Sequence, residues 1–336
     1  MFRFRQIFTG LLFIISFTVF SQDSIHVPDL SSGAKQIILN PDYNHNRWKT
    51  LPEDIIYKFA AFTSSFDSND PTNPGGKNVA LGIPEWVSFE IHKSNDKPKC
   101  GKRPNPWYTD KALNKIGIAP KDDTYKVSGT KDLNVVSGDF RFVRGHLCPY
   151  DAGNRISCDA AANTCIILNA VPQLQWQNNE IWKRLEEKTF ELADKYNKVW
   201  VITGPVFFAN EPSVWLGQKD EIRAAVPDAL FKIIIREANT ETGIESASFV
   251  IPNIIPKSKK LYEYVTSIEK IESLTRLSFL NAITSNNELK KEKLKNSYPP
   301  RPSNYSSLSK TERDKVREKL KKEFHEKNKI FLNNWF

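Results

Sequence analysis

Apolar and polar positions alternate over residues 86–91 (WVSFEI), the period of a strand with one buried face, and His92 closes it as a strand-end histidine. Three apolar runs behave as buried strands: 199–205, halted by Gly204-Pro205; 230–235; and 248–251, ending at Pro252. A strand over 140–146 ends at Gly145-His146, and 165–168 reads as another short buried one. Helical spacing replaces the two-residue period over 175–196, where Ile181, Trp182, Leu185, Leu192 and Ala193 share an apolar side, and again over 268–280. The pattern predicts an α+β fold: a central mixed, mostly antiparallel sheet flanked by helices, without internal repeats.

The flanks differ in texture. Residues 23–78 are rich in Asn, Asp, Pro, Ser and Gly, with a helix-like patch at 51–66 and a turn-forming run at 67–77. They are expected to form an N-terminal extension or cover, with His26 and His45 facing solvent. The compact domain is placed at 79–285, with polar loops at 100–106 and 120–138. Beyond it lies a basic C-terminal tail, 286–336. Pro299, Pro300 and Pro302 make a stiff spacer, and Ser309 with Glu312 forms a capping box opening a charged helix through Lys329.

Charge changes the picture less than its total suggests. The chain of 336 residues carries a formal +9. Residues 1–22 contribute +2 and the tail +7, which leaves 23–285 formally neutral. A polyanion-binding surface on the body therefore has to come from local clustering. The tail is a solvated or body-docked helix, or alternatively an electrostatic tether. Arg3, Arg5 and the apolar run 11–20 before Ser21-Gln22 resemble an export signal over 1–22, predicting a soluble secreted or periplasmic protein with no membrane span after removal; an uncleaved anchor is the alternative. Cys100, Cys148, Cys158 and Cys165 suit an oxidising compartment and permit three pairings. Cys158–Cys165 is the easiest to close, leaving Cys100–Cys148; a zinc site at His146-x-Cys148 is the weaker reading, because no paired metal-ligand spacing accompanies it.

The candidate chemistry lies in three stretches: RGHLCP at 144–149, NAVPQ at 169–173 and NNEIWKRLE at 178–186. His146 has the side chain that titrates near neutrality and serves as a base, with Gly145 allowing close approach. Asn178 offers a neutral oxygen suited to Mg²⁺, which binds few protein ligands and keeps several waters. Glu186, two turns along the same helix, can hold metal-bound waters. Arg144 and Arg103 can grip phosphate oxygens. Trp182 and Leu185 are core residues. This inventory fits phosphodiester hydrolysis with one hard cation.

In this order and spacing the stretches resemble the DNA/RNA non-specific endonucleases of the ββα-metal (His-Me finger) superfamily. The resemblance runs over roughly residues 80–285 and takes in Trp86, Arg103, Trp107, Asp110, 199–207, Val226-Pro227, Lys232 and 271–275. It implies a ββα-metal finger with His146 as general base, Asn178 as direct Mg²⁺ ligand (Mn²⁺ as a substitute) and Glu186 as a water-mediated partner. Arg144 and Arg103 would bind phosphate, and Asn169 would orient the catalytic site. The implied function is a secreted endonuclease cutting DNA and RNA with little sequence preference and leaving 5′-phosphate ends; no oligomeric state is implied. Val143 stands where the family motif usually opens with Asp, Glu180 where Gly is common, Phe190 where an arginine often lies, and Arg276 where Gly is usual. Val143 and Phe190 motivate one alternative, a weakly active or inactive relative that binds nucleic acid; the basic tail motivates another, a secreted structural or adhesion protein using it on anionic surfaces.

Overall fold

The computed structural model describes residues 28–31, 37–68, 80–94, 100–126, 141–209, 212–218, 220–255 and 257–336. The expected leader at 1–22, His26, and most of the stretches 67–77 and 120–138 lie outside them. In chain order the strands are β1 (Ile55–Lys58), β2 (Thr63–Phe66), β3 (Pro84–His92), β4 (Phe142–His146), β5 (Ala170–Leu174), β6 (Lys198–Val206), β7 (Trp215–Leu216), β8 (Ala224–Ala225), β9 (Ala229–Glu237), β10 (Ile244–Pro252) and β11 (Val265–Thr266). Seven of them build one sheet in the order β1-β2-β3-β6-β9-β10-β11, and each neighbouring pair is antiparallel. The α+β architecture read from the pattern therefore holds.

The sheet divides two apolar cores, and strand alternation decides which residue enters which. Along β9, Phe231, Ile233 and Ile235 join one core while Leu230 and Ile234 join the other. β6 splits the same way, with Trp200 and Ile202 opposite Val199 and Val201. Strands covered on both faces read as unbroken apolar runs, which is why 199–205 and 230–235 were legible. Lys232 shares the face of Leu230 and Ile234 and is 1% exposed, so this face buries a charge.

The segment expected to be a cover is part of the body. Instead of a helix over 51–66, β1 and β2 form a hairpin that pairs onto β3. Phe59 and Phe62 stack at 4.4 Å in its turn, and Thr63, Ser64 and Ser65 are buried. Thr and Ser have low helix propensity, and the free edge of β3 offers their backbone a full ladder of partners. Nor does His45 face solvent. Its Nδ1 accepts the Glu90 N–H at 3.0 Å and its Nε2 lies 3.1 Å from the Ala60 carbonyl. Burial lowers its pKa to about 4 and keeps it neutral.

The helices are α1 (Lys111–Lys115), α2 (Tyr150–Asn154), α3 (Cys158–Thr164), α4 (Gln175–Gln177), α5 (Lys183–Tyr196), α6 (Ile268–Thr275), α7 (Asn286–Leu294) and α8 (Lys310–Trp335). A π turn, Asn178–Trp182, joins α4 to α5 without a break. α6 stops short of residue 280 because Arg276 caps it in the left-handed conformation (φ 62°), the geometry that favours glycine there. Residues beyond it then reach back to Leu51 through a reciprocal backbone pair with Ser278. No helix of the described residues is long and apolar enough to cross a membrane.

The tail is docked. Glu292 of α7 accepts the Ser246 N–H at 2.8 Å, and Lys293 pairs with Glu272 at 2.6 Å. The Ser309–Glu312 capping box opens α8 as read. Phe324, Asn328, Leu332 and Trp335 form its buried stripe, ending beside α5, where Lys195 Nζ reaches the Phe336 carbonyl at 3.1 Å. Trp335, 3% exposed, belongs to the main core. Trp335→Ala should therefore cost about 3 kcal/mol in urea unfolding, the usual range for emptying a buried aromatic site; a loss below about 1 kcal/mol would show that the tail folds apart from the body.

Candidate active site

β4 and β5 pair antiparallel, with His146 opposite Ala170 and Phe142 opposite Leu174, and the α4–α5 helix follows directly. The strand expected at 165–168 is displaced: Ile167–Asn169 is a 3₁₀ turn and the pairing begins at Ala170. The cause is Asn169. Its Oδ1 accepts the Cys148 N–H at 2.8 Å, while its Nδ2 donates to the Cys148 and Thr164 carbonyls at 2.8 and 2.9 Å. With its amide wholly engaged and buried, Asn169 fixes the backbone just after His146 and offers nothing to a substrate. Gly145 is required for a different reason. A Cβ there would lie 2.1 Å from Gln173 Oε1, so the glycine lets the Gln173 amide pass beneath the strand.

His146 sits at the end of β4, half-buried. Its ring lies 4.3 Å from that of Trp107, and its Nε2 is 3.6 Å from Cys165 Sγ. Burial, then the nearby charges of Arg103 and Arg144, hold the imidazole down to about 3. A neutral ring flanked by two guanidinium groups is what a base beside a phosphate requires. Arg103 is carried on the ring of Tyr150 at 4.6 Å, and Arg144 stands 5.3 Å from the centre of Trp107. Arg144 also pairs with Asp122, whose Oδ1 accepts the Trp107 N–H at 3.0 Å. One buried carboxylate thus locates both the arginine and the wall against which the base packs.

The helix supplies the oxygen donors. In a regular α-helix, residues eight apart differ by roughly 80° around the axis. The π turn takes up one extra residue, so Asn178 and Glu186 stand as if seven apart and share a face to within roughly 20°. Among the described residues the Asn178 amide has no hydrogen-bond partner. Glu186 faces Lys232 of β9 at 3.9 Å, and the ammonium lies 4.3 Å from the centre of the Trp182 ring. Burial drives the carboxyl above its ordinary range and the ammonium below its own, and each pulls the other back toward the charged form. Arg103 is near enough to influence both Glu186 and His146, which ties the helix to the hairpin electrostatically. An acidic trio elsewhere, Asp54, Asp67 and Glu85, has carboxylate oxygens within 4.8 Å of one another at the meeting of β1, β2 and β3. Backbone N–H groups of Ser68 and Leu81 already occupy two of its members.

The expected disulfides are replaced by another. Cys100 bonds Cys158, with 5.1 Å between their Cα atoms, and Cys148 and Cys165 are free and buried. Cys158 and Cys165 occupy opposite ends of α3, about 10 Å of helix, which is too far for a bridge. The bond ties the loop carrying Arg103 to α3.

A family profile described as DNA/RNA non-specific endonuclease matches residues 76–286. The chain belongs to the DNA/RNA non-specific endonuclease family. Nuclease EXOG, mitochondrial, of Xenopus laevis is 30% identical over 228 residues, which cover 63% of this chain and 57% of that protein. The Mus musculus protein of the same name is 26% identical over 276 residues, covering 76% and 70%. Endonuclease G, mitochondrial, of Bos taurus is 32% identical over 148 residues, covering 41% and 48%. The chain thus spans little more than half the length of the Xenopus relative. These mitochondrial relatives overturn the expectation of a secreted or periplasmic protein.

Family membership explains the landmarks, but three contributors escaped the sequence reading. Asp122 lies in an unremarkable polar stretch, Lys232 was only a landmark, and Cys165 was assigned to a disulfide. At Phe190, where an arginine often lies in the family, the Arg155 guanidinium stands 4.8 Å from the ring centre, committed to Asp194 by two hydrogen bonds of 2.6 and 3.0 Å.

Two outcomes follow for the isolated protein. The folded His146 binds fewer protons than the unfolded one, so its contribution to stability is present at neutral pH and is lost as pH falls from about 6.5 toward 3. Between pH 7 and 5 the wild type should lose about 2 kcal/mol more than His146→Gln in urea unfolding; equal losses would show that the ring is not held neutral by the fold. A double-mutant cycle of Asp122→Asn with Arg144→Gln should give a stability coupling of about 1 kcal/mol, and a value near zero would contradict the positioning role of Asp122.

Proposed function

We propose that the chain is a divalent-cation-dependent endonuclease that hydrolyses phosphodiester bonds of DNA and RNA with little sequence preference, with Mg²⁺ as the resident ion and 5′-phosphate products. The observation that carries this reading is a neutral imidazole at the end of β4, packed on the Trp107 ring that also carries Arg144 and close enough to Arg103 and Arg144 to feel both charges. The donor set fits a hard cation: the Asn178 amide oxygen, without a hydrogen-bond partner among the described residues, and the Glu186 carboxylate on the same helical face. When bound, such an ion supplies positive charge to the phosphate and the departing oxygen.

The chain's own groups account for the remainder. His146 takes the proton of the attacking water: held neutral at pH 7, its ring has a nitrogen free to accept it. Arg144 spends one Nη on Asp122, which leaves its other N–H groups for phosphate oxygens, and Arg103 approaches from the upstream loop. Trp107 and Cys165 wall the imidazole, restricting water to the substrate side. Asn169 acts through the backbone it clamps. Contacts of this kind read phosphate and leave base identity unread, in keeping with low sequence preference.

His146→Ala should lower cleavage of plasmid DNA and of RNA by about a thousandfold while the protein remains folded. Asn178→Ala should raise the Mg²⁺ concentration needed for half-maximal rate by at least about tenfold. Wild-type turnover by His146→Ala, or cleavage in excess EDTA, would refute the assignment. Phe190 favours the second reading, a relative that binds without cutting; that protein would hold nucleic acid yet stay silent with both Mg²⁺ and Mn²⁺.

A further inference from the structure

A groove of about 530 Å³ lies on the side of Trp107 that faces α1, lined by Lys111, Asn114, Lys115 and Lys121 together with Ser31 and Asp122. Its size is that of a ligand cleft. Trp107 is a wall shared with the site, since its ring also packs on His146 and lies under Arg144. Lys111 and Lys115 sit one turn apart on α1, and Lys121 immediately precedes the Asp122 turn. All three are exposed, and among the described residues none has a carboxylate partner within 4.0 Å. The two acids on the wall are engaged: Asp122 holds Arg144, and Asp123 pairs with Lys126.

We propose that this groove is a subsite for the backbone of the nucleic-acid strand flanking the scissile phosphate. The proposal rests on the nuclease reading for the position of that phosphate. A body that is formally neutral over 23–285 has no general attraction for a polyanion, so an affinity beyond the arginine pair must come from a local cluster. Here three exposed ammonium groups, none within 4.0 Å of a carboxylate among the described residues, open onto a concavity that shares an indole with the base. Flexible lysines contact phosphate as point charges and read no sequence. A strand held by Arg144 and Arg103 at one phosphate would pass Trp107 and present the next phosphates to these lysines. The lysine-rich tail is the competing source of attraction, and the test is built to separate the two.

The experiment measures binding of a fluorescein-labelled single-stranded 20-mer by anisotropy in EDTA, from about 50 to 200 mM salt, for the full chain. The Lys111→Gln/Lys115→Gln/Lys121→Gln variant should bind at least about tenfold more weakly at the low end, and its log Kd against log salt should be shallower by about 2, the value for three lost phosphate contacts on a single strand. Lys321→Gln/Lys322→Gln/Lys327→Gln in α8 removes the same charge and should change the slope by less than half as much. An unchanged slope in the groove variant, or equal effects from the two variants, would overturn the proposal. Hydrolysis of bis(4-nitrophenyl) phosphate by the wild-type protein with Mg²⁺ and with Mn²⁺ reports separately on the nuclease reading, because that substrate has one phosphate and no flanking strand.

Discussion

The π turn at Asn178–Trp182 brings Asn178 and Glu186 onto one helical face, and the β4–β5 pairing fixes where that face points. Without the extra residue in the turn, the amide and the carboxylate would diverge by roughly a fifth to a quarter of the helix circumference. The local conformation carries a cost, since π turns are rare and usually confined to functional positions. Here it is held by packing on either side: Trp182 and Ile181 are fully buried, and Asn253 from the end of β10 donates to the Pro172 and Pro227 carbonyls while accepting the Leu174 N–H. The helix phase is thus fixed by the core beneath it.

Around that frame several buried charges are paired across elements. Lys232 reaches Glu186 from the sheet, Asp122 reaches Arg144 from the loop, and Arg155 joins α5 to the end of β3 through Asp194 and the His92 carbonyl. Each pair costs desolvation, so none is strong evidence of stability in itself. Their common effect is position. The side chains proposed to meet phosphate are oriented by groups that do not themselves face it, and the Cys100–Cys158 bond anchors the loop from which Arg103 comes.

Much of this is legible in the sequence. The strands at 199–205, 230–235 and 248–251, the helix at 175–196 and the three stretches bearing His146, Asn169 and Asn178 follow from period and spacing, because those features are local; the strand read at 165–168 does not. What was missed is non-local. The 51–66 hairpin looked helical because the edge of β3 that orders it lies 18 to 25 residues away in the chain. The disulfide could not be chosen among three pairings without knowing that α3 holds Cys158 and Cys165 apart. Asp122 had no motif to announce it, since its meaning lies in a partner 22 residues on. Arg276 looked like a departure from a glycine and is one, yet the chain takes the left-handed conformation regardless.

The account depends on an imidazole from a strand and an amide from a helix bordering one volume, so the direct test is a distance. Mn²⁺ titrated into the isotope-labelled protein should broaden the ring resonances of His146 at substoichiometric metal, leave those of His325 on α8 sharp, and lose this effect in Asn178→Ala. Broadening that spares His146, or that persists undiminished without the Asn178 amide, would contradict it.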